Sequence, residues 1–363
     1  MSIRSRHFRA LLLVPAAFAL ISCNSGGGGG GGSENVAPDA SSSGWTIPVT
    51  EVRDGGPGKD GIPALDSPVM VRVPDSSDVL DSVLVIGVLH EGEYRAFPQD
   101  VLDYHEVAND SVQFNAYVLS YCPLTGSALA WDVDDGDSNT EFGVSGLLYN
   151  SNLILYDRLT DSRWSQMLQQ SVEGSRSRER AARMQVIETT WATWKAMYPD
   201  SWVLTRSTGH VREYDIYPYG GYRTSAELLF PVDNLDNRLH AKLRVIGIHS
   251  DSSSRVYQIP EFGSTTRTIN DQFEDQPIVV IGNTSKNFAA IYSREMDDGT
   301  ILTFSPLQDQ LPIVMDDDEG NTWDIFGAAV SGPRSGEQLG MTRSYTAFWF
   351  AWAAFFENAE IYF

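Results

Sequence analysis

Apolar and polar positions along this chain alternate in short blocks, and most of the blocks predict strands. Residues 83–89 form an apolar run, closed by His90-Glu91-Gly92 and answered by residues 93–97, which is the pattern of a β-hairpin. A helix is expected over residues 98–105, because Pro98 suits a first turn and Asp100 and Asp103 suit the positive end of a helix. Asn109-Asp110 reads as a turn leading into a strand over 116–121. Further strands are expected over 127–132, 141–144 and 153–156. Residues 189–198 read as a helix, with Trp191, Trp194 and Tyr198 spaced along one face.

Much of this pattern returns later in the chain. Val85-Ile86-Gly87-Val88 recurs as Val245-Ile246-Gly247-Ile248, Asn109-Asp110 as Asn270-Asp271, and Trp191-Ala192-Thr193-Trp194 as Trp349-Phe350-Ala351-Trp352, always 158 to 161 positions apart. Strands are expected again over 245–248, 278–281 and 289–292, with a last structured block at 345–355. The expected class is therefore α+β, dominated by strands and built as two diverged internal repeats. The first repeat covers 46–205 and the second 231–363, with a connector at 206–230 that matches neither and carries Tyr214, Tyr217, Tyr219 and Tyr222. The recurring tryptophan pairs read as core, and the connector tyrosines are candidates for binding.

The N-terminus changes the picture of where the chain works. Arg4, Arg6 and Arg9 precede the apolar run 10–21, which ends in Leu20-Ile21-Ser22-Cys23. This order resembles a bacterial lipoprotein signal over residues 1–22, with Cys23 as the lipidated new N-terminus. Residues 23–45, with the unbroken glycine run 26–32, then form a flexible tether. The expected location is the periplasmic face of a membrane, the outer one where the host has one, with the membrane as partner through the lipid.

The chain carries a net charge of −22, so nucleic acid is not an expected partner. The acidic runs 132–137 and 316–320 do not follow the EF-hand spacing and read as solvated hairpin turns. With Cys23 lipidated, Cys122 is the one remaining thiol, and no internal disulfide can form.

Several long motifs resemble a known family. They are Asp60-Gly61-Ile62-Pro63-Ala64-Leu65, Tyr104-His105-Glu106-Val107-Ala108-Asn109-Asp110 and Tyr121-Cys122-Pro123-Leu124-Thr125-Gly126-Ser127, followed by residues 142–151 and by Tyr156-Asp157-Arg158 through Trp164-Ser165-Gln166. Together they resemble the bacterial exported proteins grouped as domain of unknown function 3179, over roughly 60–363. The resemblance implies a shared fold and brings no activity with it. Members often have a second cysteine where this chain has Thr125, so a Cys-x-x-Cys pair is not expected here.

The candidate chemistry lies in the first repeat. Aligned through Asn270-Asp271, His105 falls opposite Thr266 and Cys122 opposite Asn283, so a repeat can fold without either. Cys122 is expected where a strand ends at Pro123 and turns at Gly126, leaving backbone N–H groups for an anion. Glu106, Asn109, Asp110, Ser145, Asn150, Ser151 and Tyr219 are expected to line the same pocket, Ser145 from a turn.

Three readings of that pocket stand side by side. In the first, His105 and Cys122 bind copper or zinc, joined by Glu106, His210 or Met167, in an exported binding protein of unknown ligand. In the second, Cys122 is a nucleophile activated by His105, with Glu106, Asp103 or Asn150 orienting the ring. In the third, Cys122 is a buried small hydrophobe in a non-catalytic scaffold.

Overall fold

The computed structural model describes residues 44–76, 78–133 and 140–362. The signal, Cys23, the glycine run and residues 134–137 of the first acidic run lie outside the described residues. Strands dominate: among the described residues they form six sheets, accompanied by three α-helices. Among the described residues no helix is long and apolar enough to cross a membrane.

The expected hairpin runs from Leu84–His90 to Glu93–Pro98. Glu91 and Gly92 both have positive φ, 48° and 75°, the geometry that a two-residue turn needs to match the twist of its strands. The first strand pairs on its other side with Val186–Thr190, and the second pairs in parallel with Trp202–Leu204. Later in the chain Arg244–His249 pairs antiparallel with Ser254–Gln258 and Ser344–Phe348, and Ser254–Gln258 pairs in parallel with Glu360–Tyr362.

Helix α2, Trp191–Met197, follows Val186–Thr190 directly and is capped by the Thr190 hydroxyl, which accepts from the Thr193 N–H. Helix α3, Trp349–Phe355, follows Ser344–Phe348 in the same way. Each helix drops a tryptophan onto a strand glycine. A Cβ on Gly87 would stand 1.8 Å from Trp194, and one on Gly247 2.3 Å from Trp352. Only a residue without a side chain leaves room for these rings.

Two more sheets place the site residues. Val107–Val112, Asn115–Cys122 and Ser127–Asp132 form an antiparallel meander, and Phe142–Tyr149 pairs with Asn152–Asp157 beside it. Asn109 and Asp110 lie inside the first of these strands, so the expected turn moves to Gln113 and Phe114, whose φ values are 50° and 77°. Their side chains serve the sheets instead. Asn109 brackets Phe142, donating to its carbonyl and accepting from its N–H, both at 2.8 Å. Asp110 accepts from Arg95 and from the Tyr117 hydroxyl, each at 2.7 Å. Asn270 brackets Phe304 in the same two-way fashion.

The second acidic run joins Ile313–Asp317 to Thr322–Asp324 as a hairpin turn, in which Asp317 accepts from the N–H groups of Glu319 and Asn321. The core does not divide at the connector. One apolar cluster joins Val85, Trp191 and Trp194 to Val279, Tyr292 and Trp323. Another gathers Cys122, Trp131, Phe142, Trp164 and Tyr222. Between Leu204 and Arg244 the chain carries no helix or strand.

Candidate functional site

Helix α1, Gln99–His105, ends against the strand that leads to Cys122, and the Tyr121 N–H donates to the Glu106 carbonyl at 2.7 Å. His105 is fully buried. Its Nδ1 lies 2.8 Å from the Pro63 carbonyl, which can only accept, so Nδ1 carries the hydrogen and Nε2 accepts from the Tyr214 hydroxyl, also at 2.8 Å. Burial pulls the ring down to about 4, helped by His210 and Arg212 and opposed by the Pro63 hydrogen bond, so it is neutral at pH 7. Neither nitrogen is free to take a proton from a thiol.

Glu106 caps α1 with φ 59° and ψ −30°, a sparsely populated conformation for a side-chain-bearing residue that costs about 1–3 kcal/mol. Burial pushes its carboxyl up to about 8, Asp103 adds to the shift, and a hydrogen bond with Tyr219 opposes it. It is therefore largely protonated at neutral pH. Cys122 ends its strand as expected, before a turn closed by Gly126 at φ 60°. Its sulfur lies 3.8 Å from the Ser151 carbonyl, and the residue is 1% exposed. Burial pushes the thiol up to about 11 and the Glu106 carboxyl raises it further, against hydrogen bonds from Thr125 and from the Leu153 backbone. The thiol itself donates to the Ser151 carbonyl, and the apolar surroundings hold it protonated.

The segment after Leu204 closes this region like a strap. The Tyr104 hydroxyl donates to the carbonyls of Glu213 and Ile216, and Tyr217 donates to that of Pro123. Arg223 reaches both oxygens of buried Asp103, at 2.7 and 2.8 Å, and lies 4.0 Å over the Tyr217 ring. Tyr222 is buried in the Cys122 cluster, and its hydroxyl has no hydrogen-bond partner among the described residues. Further along, the Ser151 hydroxyl donates to the Phe230 carbonyl.

Comparison with known families places this geometry. A family model described as a protein of unknown function, DUF3179, matches residues 59–359. The chain belongs to this family. No curated protein and no solved structure matches it. Membership in DUF3179 supplies no reaction, so the chemistry has to be read from the residues.

The expected pocket residues divide. Tyr219 packs on the Cys122 cluster, the Cys122 sulfur reaches the Asn150-Ser151 turn, and Glu106 follows His105 at the end of α1. The turn pair has φ values of 48° and 62°, and Asn150 binds the Ala354 carbonyl and the Asp233 N–H. Asn109 and Asp110 are spent on the sheets. Ser145 sits within Phe142–Tyr149, not in a turn, and its hydroxyl donates to the Ile154 carbonyl at a break in register.

Among the suggested extra ligands, the His210 ring lies 5.1 Å from that of His105, while Met167 packs with Leu129 and Trp349 in a different cluster. Among the described residues no three His, Cys, Asp or Glu side chains gather where they would hold a metal ion. Asp103 pairs with Arg223 instead of orienting the His105 ring, and neither Arg223 nor Thr125 is marked as a contact of this region by the sequence. The tyrosine spacing of the connector pointed towards Tyr222, and nothing local pointed to Arg223.

Proposed function

We propose that this chain is an exported protein, lipid-tethered through Cys23, that works as a non-catalytic binding scaffold. In this reading His105, Glu106 and Cys122 are the interior seat of the strap. One observation carries it: both nitrogens of His105 are engaged, by Pro63 and Tyr214, while the Cys122 thiol stays buried and protonated beside a neutral carboxyl. A thiol enzyme needs a thiolate and a base that can accept its proton. A structural cysteine needs neither.

The same proposal takes the chain as two diverged repeats. Support comes from the paired devices: Gly87 under Trp194 and Gly247 under Trp352, and Asn109 around Phe142 and Asn270 around Phe304. The net charge of −22 argues against nucleic acid.

A thiol-centred site is the second reading. What favours it is the strained backbone of Glu106 and the shifted protonation of Glu106 and Cys122, since strain and shifted protonation gather at working sites. Purification of the mature protein without chelators, beside Cys122→Ser, tests the scaffold reading. No stoichiometric metal in either protein is expected, and one equivalent that disappears in the variant would overturn it. Fractionation of Cys23→Ala tests the tether, with release from membranes as the expected result.

A further inference from the structure

A second place in the molecule has an unmet chemical need. Arg183, in the strand Ala182–Met184, is half-buried, donates to the Thr342 carbonyl at 2.7 Å, and has no carboxylate partner among the described residues. Arg180 and Arg343 lie close enough to repel it, and both are already engaged by exposed Asp251. A guanidinium withdrawn from water without an acid to bind costs free energy that a bound anion would recover.

Arg183 lines a cavity of about 530 Å³, the size of a small-molecule site. The cavity draws on both halves of the chain: Arg183 from one side, and His249, Thr342 and Arg343 from the other. His249 is buried and neutral, its ring is stacked on Phe356 with centroids 4.4 Å apart, and its Nε2 has no partner among the described residues. The lining is thus short of partners in two places.

Charge is distributed unevenly around this cavity. The guanidiniums of Arg183 and Arg343 are half-buried, whereas Glu274, Asp275 and Glu295 are exposed. Glu274 accepts from the hydroxyls of Ser250, Ser252 and Ser253, which fix it in place without neutralising it. The lining therefore offers both guanidiniums and carboxylates to one solute. A solute that carries a carboxylate and an ammonium together satisfies both.

We propose that this cavity binds a zwitterionic solute of the α-amino acid type, its carboxylate on Arg183 and Arg343 and its ammonium towards Glu274 and Glu295. The site is independent of Cys122 and of the strap.

The test is thermal unfolding of the mature protein with each common α-amino acid at about 10 mM, beside the matched acid that lacks the amine and the matched amine that lacks the acid. At least one amino acid should raise Tm by roughly 2 °C or more, and its single-charge analogues should raise it by less than half as much. Arg183→Gln should abolish the shift. Glu295→Gln, at an exposed position, should keep the fold and shrink the shift. The proposal fails if no amino acid raises Tm, if the matched acid alone does as well, or if the shift survives Arg183→Gln. Should Arg183→Gln not fold, an undiminished shift in Glu295→Gln overturns the proposal.

Discussion

The hydroxyl of Tyr214 lies 2.8 Å from Nε2 of His105 and 2.6 Å from the Thr208 hydroxyl, so a short relay of side chains binds the strap to the end of α1. Removing the hydroxyl leaves a buried acceptor unpaired, at a cost of about 1–3 kcal/mol. Tyr214→Phe should therefore lower stability by that amount and speed tryptic cleavage after Arg212 and Arg223. His105→Ala should do the same more strongly, since it also leaves the Pro63 carbonyl without its donor. Unchanged cleavage in both variants would mean that the strap is held elsewhere.

The glycines beneath the tryptophans make a matched prediction for the two halves. Gly87→Ala and Gly247→Ala each drive a methyl group into an indole ring within a packed core. Both should cost roughly 1–3 kcal/mol or more, because overpacking forces side chains off their preferred rotamers. Urea midpoints of the two variants measure this. A neutral effect at one of the two positions would show that its tryptophan can move aside.

The buried acids set a pH dependence of known sign. Glu106 holds its proton up to about 8 in the folded chain against an ordinary 4.5, so the folded state binds more protons across that interval and its contribution is lost as pH rises through it. Asp103 acts in the same direction between 3.8 and about 7. His105 and His249, pulled from 6.5 to about 4, act in the opposite direction, and their contribution is gained as pH rises through that window. Between about 7 and about 8 the two histidines no longer titrate, and Glu106, with the last of Asp103, sets the slope. Stability should fall over that interval, and Glu106→Gln should flatten the fall. Parallel pH profiles of the two proteins would contradict the assignment.

The hairpin at 84–98, the helix ending at His105 and the strand ending at Cys122 were legible because each rests on local signals: an apolar run, a Gly92 turn, a proline before a helix. Asn109-Asp110 misled because these residue types favour turns when their side chains serve their own backbone. Here the side chains serve Phe142, Arg95 and Tyr117, contacts that no local window contains. Val186–Thr190 was hidden for a similar reason. Its polar Glu188 is buried against Gln99 and Arg244, so a central strand does not read as apolar throughout.

The site was half legible. His105, Glu106 and Cys122 could be singled out by residue type, and the connector by its tyrosines. That the connector folds back over them could not be read, because Arg223 and Asp103 meet across 120 positions of chain. Nor did residue type reveal that His105 spends both nitrogens on Pro63 and Tyr214.

The alkylation rate of Cys122 at neutral pH, native against denaturant-unfolded, tests the central claim most directly. A buried, protonated thiol should react at least ~10³-fold more slowly in the native protein, at a rate set by opening of the structure, and His105→Ala should leave that rate unchanged or raise it. Native labelling as fast as in the unfolded chain, slowed by His105→Ala, would make Cys122 an activated nucleophile and contradict the scaffold account.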